Sequence, residues 1–189
     1  YVKGAISIEE VMRHPLVIPF KYIARIMRGI ATGANDFFLL NDEEIKRWGI
    51  EKECLRPALA KTRWILSYVY DREAFNRLRS ANEKCWLFYC QVPPTLLKEK
   101  NAYKYVSYGE KLGLPNRSLI RLRRIWYQVE KREPPPIVFT YLSRGRPRFI
   151  HNEVGALPLN TFLCIYPLPE ISNNEVLLKA LLAYLNSNI

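Results

Sequence analysis

Residues 134–169 read PPPIVFTYLSRGRPRFIHNEVGALPLNTFLCIYPLP, and the class of everything around them follows from how this run folds. Three prolines cannot continue a helix. They feed IVFTYL, a β-branched and aromatic run suited to a half-buried pleated surface. SRGRPR is a tight basic turn, and RFIHN returns as the second arm of a hairpin. LNTFLCIYPL predicts a further strand.

Outward from this hairpin the elements mix. Downstream, Ser172 or Asn173 should cap an amphipathic helix, NEVLLKALLAYLNS. Its predicted buried stripe is Val176, Leu177, Ala180, Leu181 and Tyr184. Upstream, Pro134 to Pro136 close off residues 119–129. There Leu119, Leu122 and Trp126 suit a helix face, while Arg121 and Arg123 alternating with Ile120 and Leu122 suit a strand. A helix is expected from Thr95 through LLKEKNAYKYVSYGEKLG. KCWLFYCQV predicts a buried strand closed by Pro93 and Pro94.

Residues 51–65 predict a short helix interrupted at Pro57. Asn41 or Asp42 should cap a helix through Trp48, with Gly49 at its C-terminal end. FFLL predicts a strand after the turn-rich GIATGAND. The alternation of Tyr22, Ala24 and Ile26 with Ile23, Arg25 and Met27 predicts another. Ser7 and Glu10 form a capping box for a helix ending near Arg13, before Pro15. Strands and helices mix without regular β-α-β alternation, so the expected class is α+β, with a mixed or antiparallel sheet core, peripheral helices and a C-terminal amphipathic helix.

The chain has 189 residues, so one unit is expected, or two lobes divided at about residue 110. With 49% hydrophobic residues it can bury a real core. No apolar run approaches the ~20 residues of a membrane span. The start, YVKGAISIEE, has no secretory leader pattern and no initiator Met, as in a chain excised from something longer. Cys54, Cys85, Cys90 and Cys164 form no C-x-x-C pair, and only His14 and His151 could join them. Four reduced, mostly buried thiols in a cytoplasmic protein are expected.

The net charge is +11, and it is clustered. Residues 111–148 hold ten bases, eight of them Arg, against two acids. Residues 11–35 hold Arg13, Lys21, Arg25 and Arg28 and no acid, whereas residues 36–54 are locally acidic. Clustered arginine is the footprint of a polyanion partner, because its planar fork matches phosphate and guanine. Catalytic signatures are missing. There is no G-x-G glycine loop, no phosphate loop, no G-x-S-x-G and no H-E-x-x-H. This favours a binding module over a self-contained enzyme and makes a nuclease improbable. A module whose basic face serves RNA or a protein is the alternative.

Candidate DNA-binding residues are Arg28, Thr32 and Asn35 in RGIATGAND, Arg121 and Arg123 in the basic run, and Arg144, Arg146 and Arg148 in SRGRPR. Gly29 and Gly33 permit close backbone approach, and Thr32 and Asn35 are short polar groups able to meet a phosphate or base edge. In an extended chain, Arg144, Arg146 and Arg148 would all point to one side. Trp126 and Tyr127 suit the core better than a base stack.

Two blocks carry a family resemblance: RGIATGANDFFLL at 28–40 and the 134–169 run, followed by a helix ending in AYLNS. With YGEKLGLPNRSLIRLRRIWYQV between them, about residues 15–187 resemble the C-terminal target-recognition domain of adenine-N6 DNA methyltransferases of restriction–modification systems. This is the TaqI-like specificity domain, also found in Eco57I-like fused enzymes. LNTFLCIYP departs from the family pattern before its Ile-Tyr-Pro. The resemblance implies sequence-specific binding of double-stranded DNA, with no catalytic, cofactor-binding or metal residues in this chain. It implies an upstream methyltransferase domain of the same polypeptide that holds N-P-P-Y and takes S-adenosylmethionine, a prokaryotic cytoplasmic location, no membrane association and no oligomer. The loop from Arg28 to Asn35 is expected beside that domain and near the target adenine, because it lies close to the N-terminus, because Arg28 with Gly29 and Gly33 supplies charge and close backbone approach, and because a flipped base needs its flanking strands held.

Overall fold

The computed structural model describes residues 7–142 and 146–187. It is an α+β fold with two four-stranded sheets. The elements in chain order are α1 (Ile8–Arg13), β1 (Ala24–Arg28), α2 (Asn35–Phe38), β2 (Leu39–Leu40), α3 (Asp42–Trp48), β3 (Leu55–Leu59), α4 (Arg72–Ser80) and β4 (Trp86–Phe88). There follow α5 (Pro94–Leu97), α6 (Ala102–Lys111), β5 (Ile137–Phe139), β6 (Phe149–His151), β7 (Leu157–Pro158), β8 (Leu163–Pro167), α7 (Pro169–Ser172) and α8 (Glu175–Asn186).

The first sheet runs β1-β8-β5-β6, all antiparallel; the second runs β2-β4-β3-β7, with β3 and β7 parallel. Each sheet draws strands from both sides of residue 110, so the chain does not divide there. The main core lies around the second sheet, where Phe38, Leu59, Leu87, Phe88, Ile120 and Phe162 are sealed from solvent.

Capping sets the helix limits. Asn41 and Glu44 form a capping box on α3, and Gly49 closes it with a left-handed backbone at φ 64°. Ser7 and Glu10 do the same for the start of α1.

Several expectations are corrected. Phe37 and Phe38 belong to α2, because the preceding loop winds into a helical turn and Phe37 stacks on Tyr105 at 4.4 Å. Residues 51–65 hold β3, not a helix, flanked by 3-10 turns at Lys52–Cys54 and Thr62–Trp64. Pro57 fits because the parallel ladder to β7 begins only at Ala58, so its missing N–H breaks no pairing there. The helix expected from Thr95 is two helices, α5 and α6. Glu51 caps the second by accepting from the backbone N–H groups of Asn101 at 2.6 Å and Ala102 at 3.1 Å. Residues 119–129 form turns, neither helix nor strand.

The largest correction concerns α8. It starts after Asn174, and its buried residues are Leu178 and Leu182, while Val176, Leu177 and Tyr184 are exposed. The helix is apolar nearly all round, so periodicity does not select a face. Asn186 does: its side-chain carbonyl accepts from the Phe149 N–H (3.0 Å) and its amide donates to the Phe149 carbonyl (2.8 Å). This satisfies the open edge of β6 and fixes the rotation of α8, placing Leu178 and Leu182 over Ala24, Ile137 and Ile165.

Candidate nucleic-acid interface

One end of the first sheet is marked by the row Arg28–Leu163–Phe139–Phe149, read across β1, β8, β5 and β6. The loops 29–34 and 158–162 and the segments 140–142 and 146–148 all adjoin the sheet at this end. The parallel pairing of Leu59 with Pro158 brings the segment after β3 to the same place.

Residues 158–162 tie these segments together. Gly29 N–H donates to the Phe162 carbonyl at 2.9 Å, Ile30 N–H to Pro158 at 2.8 Å, and Asn160 N–H to Ile30 at 3.0 Å. Leu159 N–H donates to Leu59 at 2.8 Å, and the Thr161 hydroxyl to Ala60 at 3.1 Å. The Tyr141 hydroxyl donates to the Asn160 carbonyl at 2.9 Å. Gly29 is required here: a Cβ would lie 2.0 Å from the Leu159 carbonyl oxygen.

A fifth segment, 117–131, is clamped onto loop 29–34 by Arg123. Its guanidinium donates to the carbonyls of Thr32 (2.6 Å), Ala31 (3.0 Å) and Trp126 (3.2 Å) and lies over the Phe38 ring at 5.0 Å. Burial pulls its pKa below the ordinary arginine value. Beneath it, Gly33 adopts φ +75° against Leu119 and Ile120.

The sequence-predicted residues therefore separate. Arg28, Asn35 and Arg121 are exposed at this end. Thr32 is only 2% exposed, and its hydroxyl is occupied, accepting from Ala34 N–H at 3.2 Å and donating to Asn35 Oδ1 at 2.5 Å. It shapes the loop and does not point outward. Arg123 faces inward as the clamp. Arg148 also turns inward, donating to the Ile65 carbonyl at 2.8 Å beside the Tyr68 ring. Arg146 is exposed, and Arg144 lies outside the described residues. Trp126 packs against Phe37, and Tyr127 is buried with its hydroxyl on the Val92 carbonyl, as core residues.

Other residues at this end were missed: Lys61 and Arg63 after β3, Arg117 and Arg124, Tyr141 and Asn160. Arg117 and Arg124 were within reach, since they sit in the same basic run. The others are assembled by non-local pairings that no local pattern encodes. Arg28, Arg117, Arg121 and Arg124 are exposed, and none pairs with an acid among the described residues.

The four cysteines are free and buried, and no His/Cys/Asp/Glu group among the described residues is placed to hold a metal ion. No helix among them is long and apolar enough to cross a membrane.

The fold and this end define a class: an α+β module that gathers loops from five chain segments around one backbone hub and leaves arginines unpaired there. Comparison with known proteins gives the family. Residues 5–187 match the model of the C-terminal domain of Type II methyltransferase M.Eco57I, and the chain belongs to that family. It is 30% identical over 169 residues to Type II methyltransferase M.AccI of Acinetobacter calcoaceticus, covering 89% of this chain and 30% of that protein. It is 23% identical over 168 residues to Type II methyltransferase M.XamI of Xanthomonas campestris pv. amaranthicola, covering 87% of this chain and 30% of that protein. The chain thus spans about 30% of the length of these curated relatives.

Proposed function

We propose that this chain is the target-recognition part of an adenine-N6 DNA methyltransferase of a restriction–modification system, and that it binds duplex DNA sequence-specifically without itself transferring the methyl group. The observation that carries this is the hub end: unpaired arginines from separate segments held on a rigid backbone, in a chain that matches the C-terminal domain of Type II methyltransferases. Phosphate contacts by such arginines position a protein on DNA, while loop side chains read base edges. The absence of N-P-P-Y and a glycine loop from the sequence supports placing the chemistry, and the S-adenosylmethionine site, in a separate methyltransferase domain. Four buried free thiols suit a bacterial cytoplasm.

The test is fluorescence anisotropy with a labelled DNA duplex and an RNA duplex of the same sequence as competitor. DNA affinity should fall with salt by about 0.9 log units per log of salt for each phosphate neutralised. A salt-independent affinity, preferential binding of the RNA duplex, or methyl transfer by the isolated chain would overturn the proposal.

A further inference from the structure

Within segment 117–131, residues 120–123 form a tight turn closed by the Arg123 N–H donating to the Ile120 carbonyl at 3.0 Å. Both ends of the turn are fixed. Ile120 is fully buried, and the Arg123 guanidinium is bound to three backbone carbonyls. The two central residues, Arg121 and Leu122, therefore point outward. Leu122 is 77% exposed. Tight-turn centres favour Gly, Asn, Asp or Ser, which bond the backbone or tolerate unusual dihedrals; a bare Leu gains nothing there from folding. Leu122 thus displays an apolar side chain to solvent from a turn whose two ends are held.

The surroundings identify the partner. Arg117, Arg121 and Arg124 flank Leu122, are exposed and have no acidic partner among the described residues. No Asp or Glu occurs from residue 111 to residue 129. An apolar tip in an acid-free stretch, with exposed arginines on either side of it in sequence, repels a basic surface and gains little from a neutral one. It complements a duplex, in which negatively charged backbones flank an apolar base stack.

We propose that Leu122 is a wedge that enters a base step of bound DNA, with Arg117, Arg121 and Arg124 holding the flanking phosphates. Proteins that distort duplexes use Leu, Ile, Phe, Met or Pro in this way, and the wedge must be stiff to displace stacked bases. The clamp made by Arg123 supplies that stiffness. This inference rests on the DNA-binding reading above and assigns that interface its distorting element.

The test uses the 189-residue chain and a duplex that the wild-type chain selects from a randomised pool, with 2-aminopurine placed in turn at each position. This base brightens when unstacked. Wild type should brighten one step, Leu122→Phe should retain the signal, and Leu122→Asn should lose it by about fivefold or more. Leu122→Asn should also match or exceed the wild-type melting temperature, because Asn suits the turn. A leucine needed only for folding would give the opposite thermal result and overturn the proposal. So would an unchanged 2-aminopurine signal in a folded Leu122→Asn chain that still binds, or wild-type binding with no brightened step; in both cases DNA binding stands. If the wild-type chain selects and binds no DNA, both the wedge and the DNA-binding reading fall.

Discussion

The acidic segment 36–54 and the basic segment 111–148 use charge in opposite ways. In the acidic one, most carboxylates are spent inside the molecule. Asp42 pairs with Arg79 at 2.8 Å and accepts from the Trp86 indole N–H at 2.7 Å. Glu44 caps α3 and pairs with Lys84 at 2.6 Å. Glu51 caps α6, and Glu53 pairs with Lys100 at 2.7 Å. Only Asp36 and Glu43 have no such partner among the described residues. In the basic segment, Arg123, Arg132 and Arg148 turn inward onto backbone carbonyls, whereas Arg117, Arg121 and Arg124 have no acidic partner among the described residues. The acids act as mortar.

The division can be broken most forcefully at the unmatched arginines. Replacing Arg117, Arg121 and Arg124 together with Ala should weaken DNA binding roughly a hundredfold, at about 1 kcal/mol or more per charge-assisted hydrogen bond. The salt slope should drop by about 0.9 for each phosphate that is no longer neutralised, with the melting temperature unchanged. Anisotropy titrations at several salt concentrations and a thermal melt measure both. A collapse in stability would mean that these arginines are structural.

The clamp should respond the other way. Arg123→Ala leaves the carbonyls of Ala31, Thr32 and Trp126 without their shared donor, at a cost of about 1–3 kcal/mol in urea unfolding. Arg123→Lys should recover little, since an ammonium cannot reproduce the planar fork.

A carboxylate of the mortar gives a smaller effect. Glu51→Ala should cost about 0.5–2 kcal/mol by uncapping α6, with the local weakening read by hydrogen exchange at Asn101 and Ala102. DNA affinity should stay level.

The smallest effect is a pH dependence. Lys61, hydrogen-bonded to Glu83 at 2.8 Å, holds that carboxyl below the ordinary carboxylate range. A lowered folded pKa contributes stability that is present above the unfolded value of Glu. It is lost as pH falls through the folded value. Lys61→Met should flatten this acid limb slightly in urea midpoints measured from neutral to acid pH. An unchanged limb would show that the pair is too exposed to matter.

The β5–β6 hairpin, β1 and the capped ends of α1 and α3 were legible because each is decided by local chemistry: three prolines, a period of two, or a Ser-x-x-Glu or Asn-x-x-Glu pair. What failed was decided elsewhere in the chain. Glu51 breaks the helix expected from Thr95 from about fifty positions away, and Asn186 chooses the face of α8 by bonding β6. Pro57 sits in a strand because of where β7 begins. Charge clustering named segments that the fold gathers at one end of the first sheet. It could not tell that Arg123 and Arg148 face inward, since an arginine's direction depends on which carbonyls lie within reach. Thr32 was misplaced for the same reason, its hydroxyl being claimed by its own loop.

The hub at 158–162 joins its neighbours almost wholly through main-chain atoms, with Tyr141 and Thr161 adding side-chain donors onto carbonyls. A scaffold bonded this way is indifferent to most of the side chains displayed above it. The exposed tips at 66–68 and 121–122 can change identity while the bonds beneath them persist. Gly29 is the exception, because the approach of its backbone to Leu159 leaves room for no other residue. The molecule thus separates the main-chain bonds that hold these loops together from the side chains displayed above them.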